Sequence, residues 1–190
     1  MNKINIDEIK LSLDIYGFYV IPSFYKNHDF FKDIQLSMSN VAVDSSESNK
    51  HYKGGNCKIF KPSKNNSEED LIYYKFVKQI EKDFLNNKTF KNYNHNLMVR
   101  SLDTPESKHI AQDPHFDRIK TLKFMLYIND LKNENGAFCL SSSSNNWVRN
   151  EFSDLRPSHE NKKYFDKTRG IPSLIINNLK PVEGSAGTLI

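Results

Sequence analysis

Residues 121–130 read Thr-Leu-Lys-Phe-Met-Leu-Tyr-Ile-Asn-Asp. Leu122, Phe124, Leu126 and Ile128 alternate with Lys123, Met125 and Tyr127. A period of two belongs to a β-strand, whose successive side chains leave on opposite faces. Downstream, Leu-Lys-Asn-Glu-Asn-Gly over 131–136 is a turn, with Gly136 suited to positive φ. Residues 137–140 then read as the partner strand of 121–130, which predicts a hairpin. Ser141, Ser142, Ser143 and Ser144 form a loop, and 145–182 is a long, charged excursion of weak helical content. At 187–190 the sequence Gly-Thr-Leu-Ile opens another strand.

Upstream the pattern changes from strands to helices. Residues 6–16 carry Asp7 and Glu8 in a first turn, then Ile9, Leu11, Leu13 and Ile15, with Gly17 as terminator. Residues 17–24 read as a short strand ended near Pro22. Phe30, Phe31, Ile34 and Met38 recur at helical spacing over 29–41. Residues 67–86 make the clearest helix, with Ser67 and Asp70 resembling a capping box and a stripe of Leu71, Tyr74, Val77, Ile80 and Phe84. Short strands are expected at 58–60 and 96–102. Helices followed by strands imply an α+β fold, mainly antiparallel β, with N-terminal helices packed on one side.

At 190 residues the chain is expected to form a single domain, 1–190, in which 145–182 is an insertion or lid. Its 37% apolar and 26% charged residues suit a globular rather than a disordered chain. No run of about 18 apolar residues is present, so no membrane span is expected. The two cysteines, Cys57 and Cys139, lie far apart in a chain without an apolar leader, which predicts reduced thiols and a cytoplasmic protein. The net charge of +4 is small and its basic residues are scattered, so no nucleic-acid partner is expected. Neither the oligomeric state nor the substrate is written in the composition.

The chemistry-bearing feature is His115-Phe116-Asp117, just before the long strand. On an extended backbone, residues i and i+2 point the same way, so an imidazole and a carboxylate converge. With one further His they would make the facial triad that holds non-haem Fe(II) and leaves positions open for O₂. The plain alternative for His115 is a surface or core histidine, since His-x-Asp arises often by chance. His109 and His159 stand in polar segments rather than at a strand end facing His115, which makes them poor third ligands.

The run Asp-Pro-His-Phe-Asp at 113–117, the strand at 121–130, the Asn133–Phe138 turn and the serine loop together resemble the phytanoyl-CoA dioxygenase-like family of Fe(II)/2-oxoglutarate-dependent oxygenases. Residues 17–24 and 187–190 are similar to that family's N-terminal strand and to the opening of a later one. The resemblance covers about two-thirds of the chain and is densest over 112–144. It implies a double-stranded β-helix, a jelly-roll or cupin-like core. It also implies that His115 and Asp117 are metal ligands, that Lys123 or Tyr127 contacts 2-oxoglutarate, and that Fe(II), 2-oxoglutarate and O₂ are required. The family's third ligand, a His after the strand that 187–190 opens, and the Arg beyond it would fall past Ile190. The expectation is therefore a chain truncated at its C-terminal end. The serine loop also departs from the family's frequent Pro-Gly-Ser-His.

The implied function is oxidation, commonly hydroxylation, of a small organic substrate. Related halogenases replace the carboxylate ligand with a small residue, and Asp117 keeps it here. The competing reading is a non-catalytic jelly-roll domain that binds a ligand or a partner. Lys123 and Tyr127 have a plain alternative as packed amphipathic side chains or ion-pair partners. Arg118 could serve a substrate anion or a surface ion pair, and Trp147 a substrate mouth or simple packing. Cys139 is expected as a small core residue, and Gly54-Gly55 as a turn.

Overall fold

The backbone of residues 187–190 lies between two other segments and exchanges hydrogen bonds with both. On one side the Ile21 N–H donates to the Leu189 carbonyl (2.8 Å) and the Leu189 N–H returns to Ile21 (3.1 Å). On the other, Met125 and Ile190 exchange both bonds, at 2.8 and 2.9 Å. These are the pairs of an antiparallel ladder. The computed structural model describes residues 4–40, 52–53, 56–60, 67–86, 98–102, 108–109, 114, 122–152 and 171–190. They fall into two compact units, one built from residues 3–26 and 113–190 and the other from 27–112.

In the first unit the chain runs through α1 (Ile6–Ile15), β5 (Cys139–Ser141), α4 (Ser144–Phe152), α5 (Ser173–Asn177) and β6 (Leu179–Pro181). Asn5 caps α1 by accepting the Glu8 N–H at 3.2 Å, and Gly17 at φ +87° ends the turn beyond Tyr16. The strand expected at 17–24 is reduced to the single pairing of Ile21 with Leu189.

Tyr127 faces two residues of the last segment. Its carbonyl accepts from the Gly187 N–H (2.8 Å) and its N–H donates to the Thr188 carbonyl (2.9 Å). This bulge begins with a left-handed residue, and Gly187 at φ +84° is that residue. The same glycine is third in a turn closed by the Thr188 N–H on the Ser185 carbonyl at 3.0 Å. A Cβ there would also stand 2.5 Å from the Lys26 backbone nitrogen. Thr188 and Leu189, which follow, are fully buried.

The expected hairpin of 137–140 with 121–130 does not form. β5 pairs instead with β6, Cys139 opposite Pro181 and Ser141 opposite Leu179. The turn is the physical reason. A 3-10 turn at Asn133–Asn135 and Gly136 at φ +95° lead into Ala137, whose N–H closes onto the Lys132 carbonyl at 3.0 Å. The chain therefore leaves the ladder and rejoins it in the same direction. Leu131 pairs with Gly184 before the excursion and Cys139 with Pro181 after it. Residues 179–190 thus line up against both sides of a loop pinched out between them. Cys139 is correspondingly exposed, not a core residue.

In the second unit α2 (Asp29–Asn40) packs against α3 (Glu68–Phe84). Phe30, Phe31, Ile34 and Met38 are buried as their spacing predicts, each worth roughly 1.5–3 kcal/mol of apolar transfer. The α3 stripe is rotated from the expected one. Ile72, Tyr73, Val77 and Ile80 are buried, whereas Leu71, Tyr74 and Phe84 are only partly covered. Ser67 accepts the Asp70 N–H at 3.0 Å as the N-cap. The antiparallel pairs β1 (Tyr52–Lys53) with β4 (Lys108–His109) and β2 (Asn56–Phe60) with β3 (Met98–Leu102) complete this unit. His109 accordingly stands in a short strand rather than a loop.

The described residues thus show mixed helix and short antiparallel pairings. A closed jelly-roll core is not among them. No helix among them is long and apolar enough to cross a membrane.

Candidate functional site

His115, Asp117, Arg118 and His159 lie outside the described residues, so the structure places none of them. What it places is the segment that follows His115-Phe116-Asp117, which pairs through single bridges at Leu126 and Leu131. Lys123 is exposed, Met125 is half-buried and Tyr127 is buried. The segment runs from an open end into the interior, where 125–127 meet 187–190.

The Tyr127 hydroxyl is inserted into the backbone ladder. The Val182 N–H donates to the Phe138 carbonyl at 2.8 Å, which is one half of an antiparallel pair. The return bond passes through the phenol: the Phe138 N–H donates to the Tyr127 oxygen at 3.1 Å, and that hydroxyl donates to the Val182 carbonyl at 2.7 Å. The hydroxyl's one proton is therefore committed to the protein itself. Desolvation by burial raises the Tyr127 pKa above its ordinary value, the Phe138 N–H acts against that shift, and nearby Cys139 adds to it. A neutral phenol with a fixed donor direction suits a strut better than a charge carrier.

A polar network sits beside the bulge. The Thr188 Oγ1 accepts the Ser23 N–H at 3.2 Å, and the Ser23 and Ser185 hydroxyls share a bond at 2.7 Å. The Ala186 N–H donates to the Asp130 carboxylate at 2.7 Å. Asp130, read as the end of the long strand, thus holds the turn that aims Thr188 inward. Ser23 and Ser185 are not marked out in the sequence. Their only local signal is a small polar residue next to a turn, which is too common to select them.

The serine loop has a structural use. Ser143 and Asn145 bind the carbonyls at the end of α1. In the second unit an open cavity of about 540 Å³ runs along α3, lined by Tyr74, Lys75, Lys78, Gln79, Glu81 and Lys82. Its one buried carboxylate, Glu81, is paired with Lys78, which also lies 5.6 Å over the Tyr74 ring. Lys75 and Lys82 are exposed, so this is a solvated cationic helix face. Among the described residues no group of three His, Cys, Asp or Glu side chains could hold a metal ion.

No protein-family model and no curated protein sequence matches the chain. Among solved structures it is similar to HygX from Streptomyces hygroscopicus, crystallised with nickel, 2-oxoglutarate and hygromycin B bound. The similarity spans 100% of this chain and 78% of that one, at 13% identity and a TM-score of 0.49. A likeness of that size fixes neither the fold nor the chemistry of this chain.

Proposed function

We propose that the chain is a non-haem Fe(II)/2-oxoglutarate-dependent oxygenase of the phytanoyl-CoA dioxygenase-like type, acting on a small organic substrate. One observation carries the reading. The His115-Phe116-Asp117 motif stands directly before a strand whose residues 125–127 are laddered to 188–190, the segment that the resemblance treats as a later strand. In this reading His115 supplies a neutral imidazole nitrogen and Asp117 a carboxylate oxygen to the metal. When bound, the metal and 2-oxoglutarate supply the activation of O₂ that oxidises a C–H bond. Asp117 would hold the metal as a carboxylate ligand where the related halogenases carry a small residue, which favours hydroxylation or a related oxidation over halogenation. Lys123 offers a cation to a 2-oxoglutarate carboxylate. Tyr127, its hydroxyl donating to the Val182 carbonyl, holds the strand in register.

A second reading, a ligand-binding domain without catalysis, is favoured by that same commitment of the Tyr127 hydroxyl. Anaerobic titration with Fe(II), with and without 2-oxoglutarate, separates the two. The oxygenase reading expects the weak visible charge-transfer band of the ternary complex. It also expects the band to vanish in His115→Ala and in Asp117→Ala. A folded protein with no band would leave the binding domain as the better account.

A further inference from the structure

The first helix is fastened to its unit in a way that its sequence does not announce. None of the residues of α1 is buried, and Leu11 is 61% and Ile15 43% exposed. A helix on a globular domain ordinarily holds on by a buried apolar face. Here Ile6, Ile9 and Leu13 are only half-buried, Glu8 accepts from the Tyr19 hydroxyl at 2.7 Å, and the other polar attachments gather at the C-terminal end, where a helix leaves its last carbonyls without intrahelical partners. Asn145 Nδ2 donates to the carbonyls of Leu13 (3.1 Å) and Asp14 (3.2 Å). Ser143 Oγ donates to the Ile15 carbonyl at 3.0 Å, and the Ser143 N–H to Tyr16 at 2.9 Å. Arg149 adds an ion pair to the Asp14 carboxylate at 2.8 Å. Ser143 adopts φ +63° in presenting both of its donors. Gly17 leaves the room, since a Cβ there would stand 3.1 Å from the Asn145 side chain.

We infer that α1 is a releasable helix, held by a latch of Ser143, Asn145 and Arg149, which opens while the ladder of 125–131 with 184–190 stays closed. Local opening is governed by the contacts that the moving segment alone makes. For α1 these are mostly polar bonds that water can replace once the helix lifts: the Ser143–Ile15, Asn145–Asp14 and Arg149–Asp14 contacts are exposed, and the Asn145–Leu13 bond is part-buried. The ladder has backbone bonds on both edges of 187–190 and two fully buried side chains, so it opens only with its unit. Opening bares the half-buried positions Ile6, Ile9 and Leu13 and frees the donors of Ser143 and Asn145. The inference is independent of the oxygenase reading and stands or falls on its own.

Native-state hydrogen exchange on the full chain tests it. The amides of residues 10–17 should exchange at least about tenfold faster than those of Met125, Tyr127, Leu189 and Ile190. Asn145→Ala should speed the α1 amides by roughly a further tenfold and leave the ladder amides unchanged. Ser143→Gly, which suits the positive φ while deleting the hydroxyl, should do the same to a smaller degree. Arg149→Ala should give about two- to threefold, an effect that added salt erases. The inference fails if α1 and the ladder exchange at one rate. It also fails if the variants accelerate both together, or if they leave α1 unchanged.

Discussion

The α2–α3 pair and the 184–190 ladder hold their units together by opposite means. The helix pair relies on side-chain volume: Phe31, Ile34 and Ile80 are each 1% exposed. The ladder relies on backbone direction, with hydrogen bonds to Ile21, Met125, Tyr127 and Leu131 and one glycine that no other residue can replace without strain. An apolar contact loses energy in proportion to the atoms removed. A bulge that requires a left-handed residue fails as soon as a side chain is added. The first kind of region tolerates conservative exchange, and the second does not.

Substitutions can break this contrast. Phe31→Ala should cost about 3–5 kcal/mol in urea denaturation, through lost transfer energy and the cavity left behind. Phe31→Leu should recover much of that loss. Gly187→Ala should cost roughly 2–4 kcal/mol from one added methyl, with no conservative rescue, because the strain lies in the backbone and against Lys26. Trp147, the one tryptophan of the chain, reports this change by fluorescence from within the same unit. Equal recovery of both sites by volume-matched residues would sink the comparison.

Tyr127→Phe should cost about 1–3 kcal/mol, since it leaves the Phe138 N–H and the Val182 carbonyl without their shared partner. The smallest effect is alkaline. Burial raises the pKa of Tyr73 far above the ordinary tyrosine value, and that of Tyr127 above it as well. Their neutral forms are favoured in the fold, so the stability this lends is complete below about pH 10. Above that the unfolded chain ionises first, and the stability falls as pH rises. Tyr73→Phe should remove more of the loss than Tyr127→Phe, because nothing opposes the desolvation of Tyr73 while the Phe138 N–H opposes that of Tyr127. The pH dependence of urea midpoints between 8 and about 11 checks the order.

Local periodicity carried the helices well. The α2 stripe was legible because Phe30, Phe31, Ile34 and Met38 define one face, with Leu36 alone among the large apolar residues off it. In α3 the apolar residues Leu71, Ile72, Tyr73, Tyr74, Phe76 and Val77 define two overlapping faces. Which of them turns inward depends on α2, not on α3 alone. Alternation over 121–130 likewise announces a strand without naming its partner. That partner comes from 184–190, more than fifty residues onward, because a closed excursion looks in sequence like a hairpin turn. His115-Phe116-Asp117 is legible only as a candidate, since two residues suffice to state it and they lie outside the described residues. The use of the Tyr127 hydroxyl was not legible, since it depends on where Phe138 and Val182 come to rest.

The pinched-out loop also separates length from register. Its base is closed between Lys132 and Ala137, and Gly136 has no atom within 4 Å of where a side chain would begin. Residues added at Gly136 would lengthen the loop into solvent while Leu131 still meets Gly184 and Cys139 still meets Pro181. The loop is a port at which the protein can accept a reporter peptide or an affinity tag, and through which its descendants could gain new surface, without a single pairing of the ladder being rewritten.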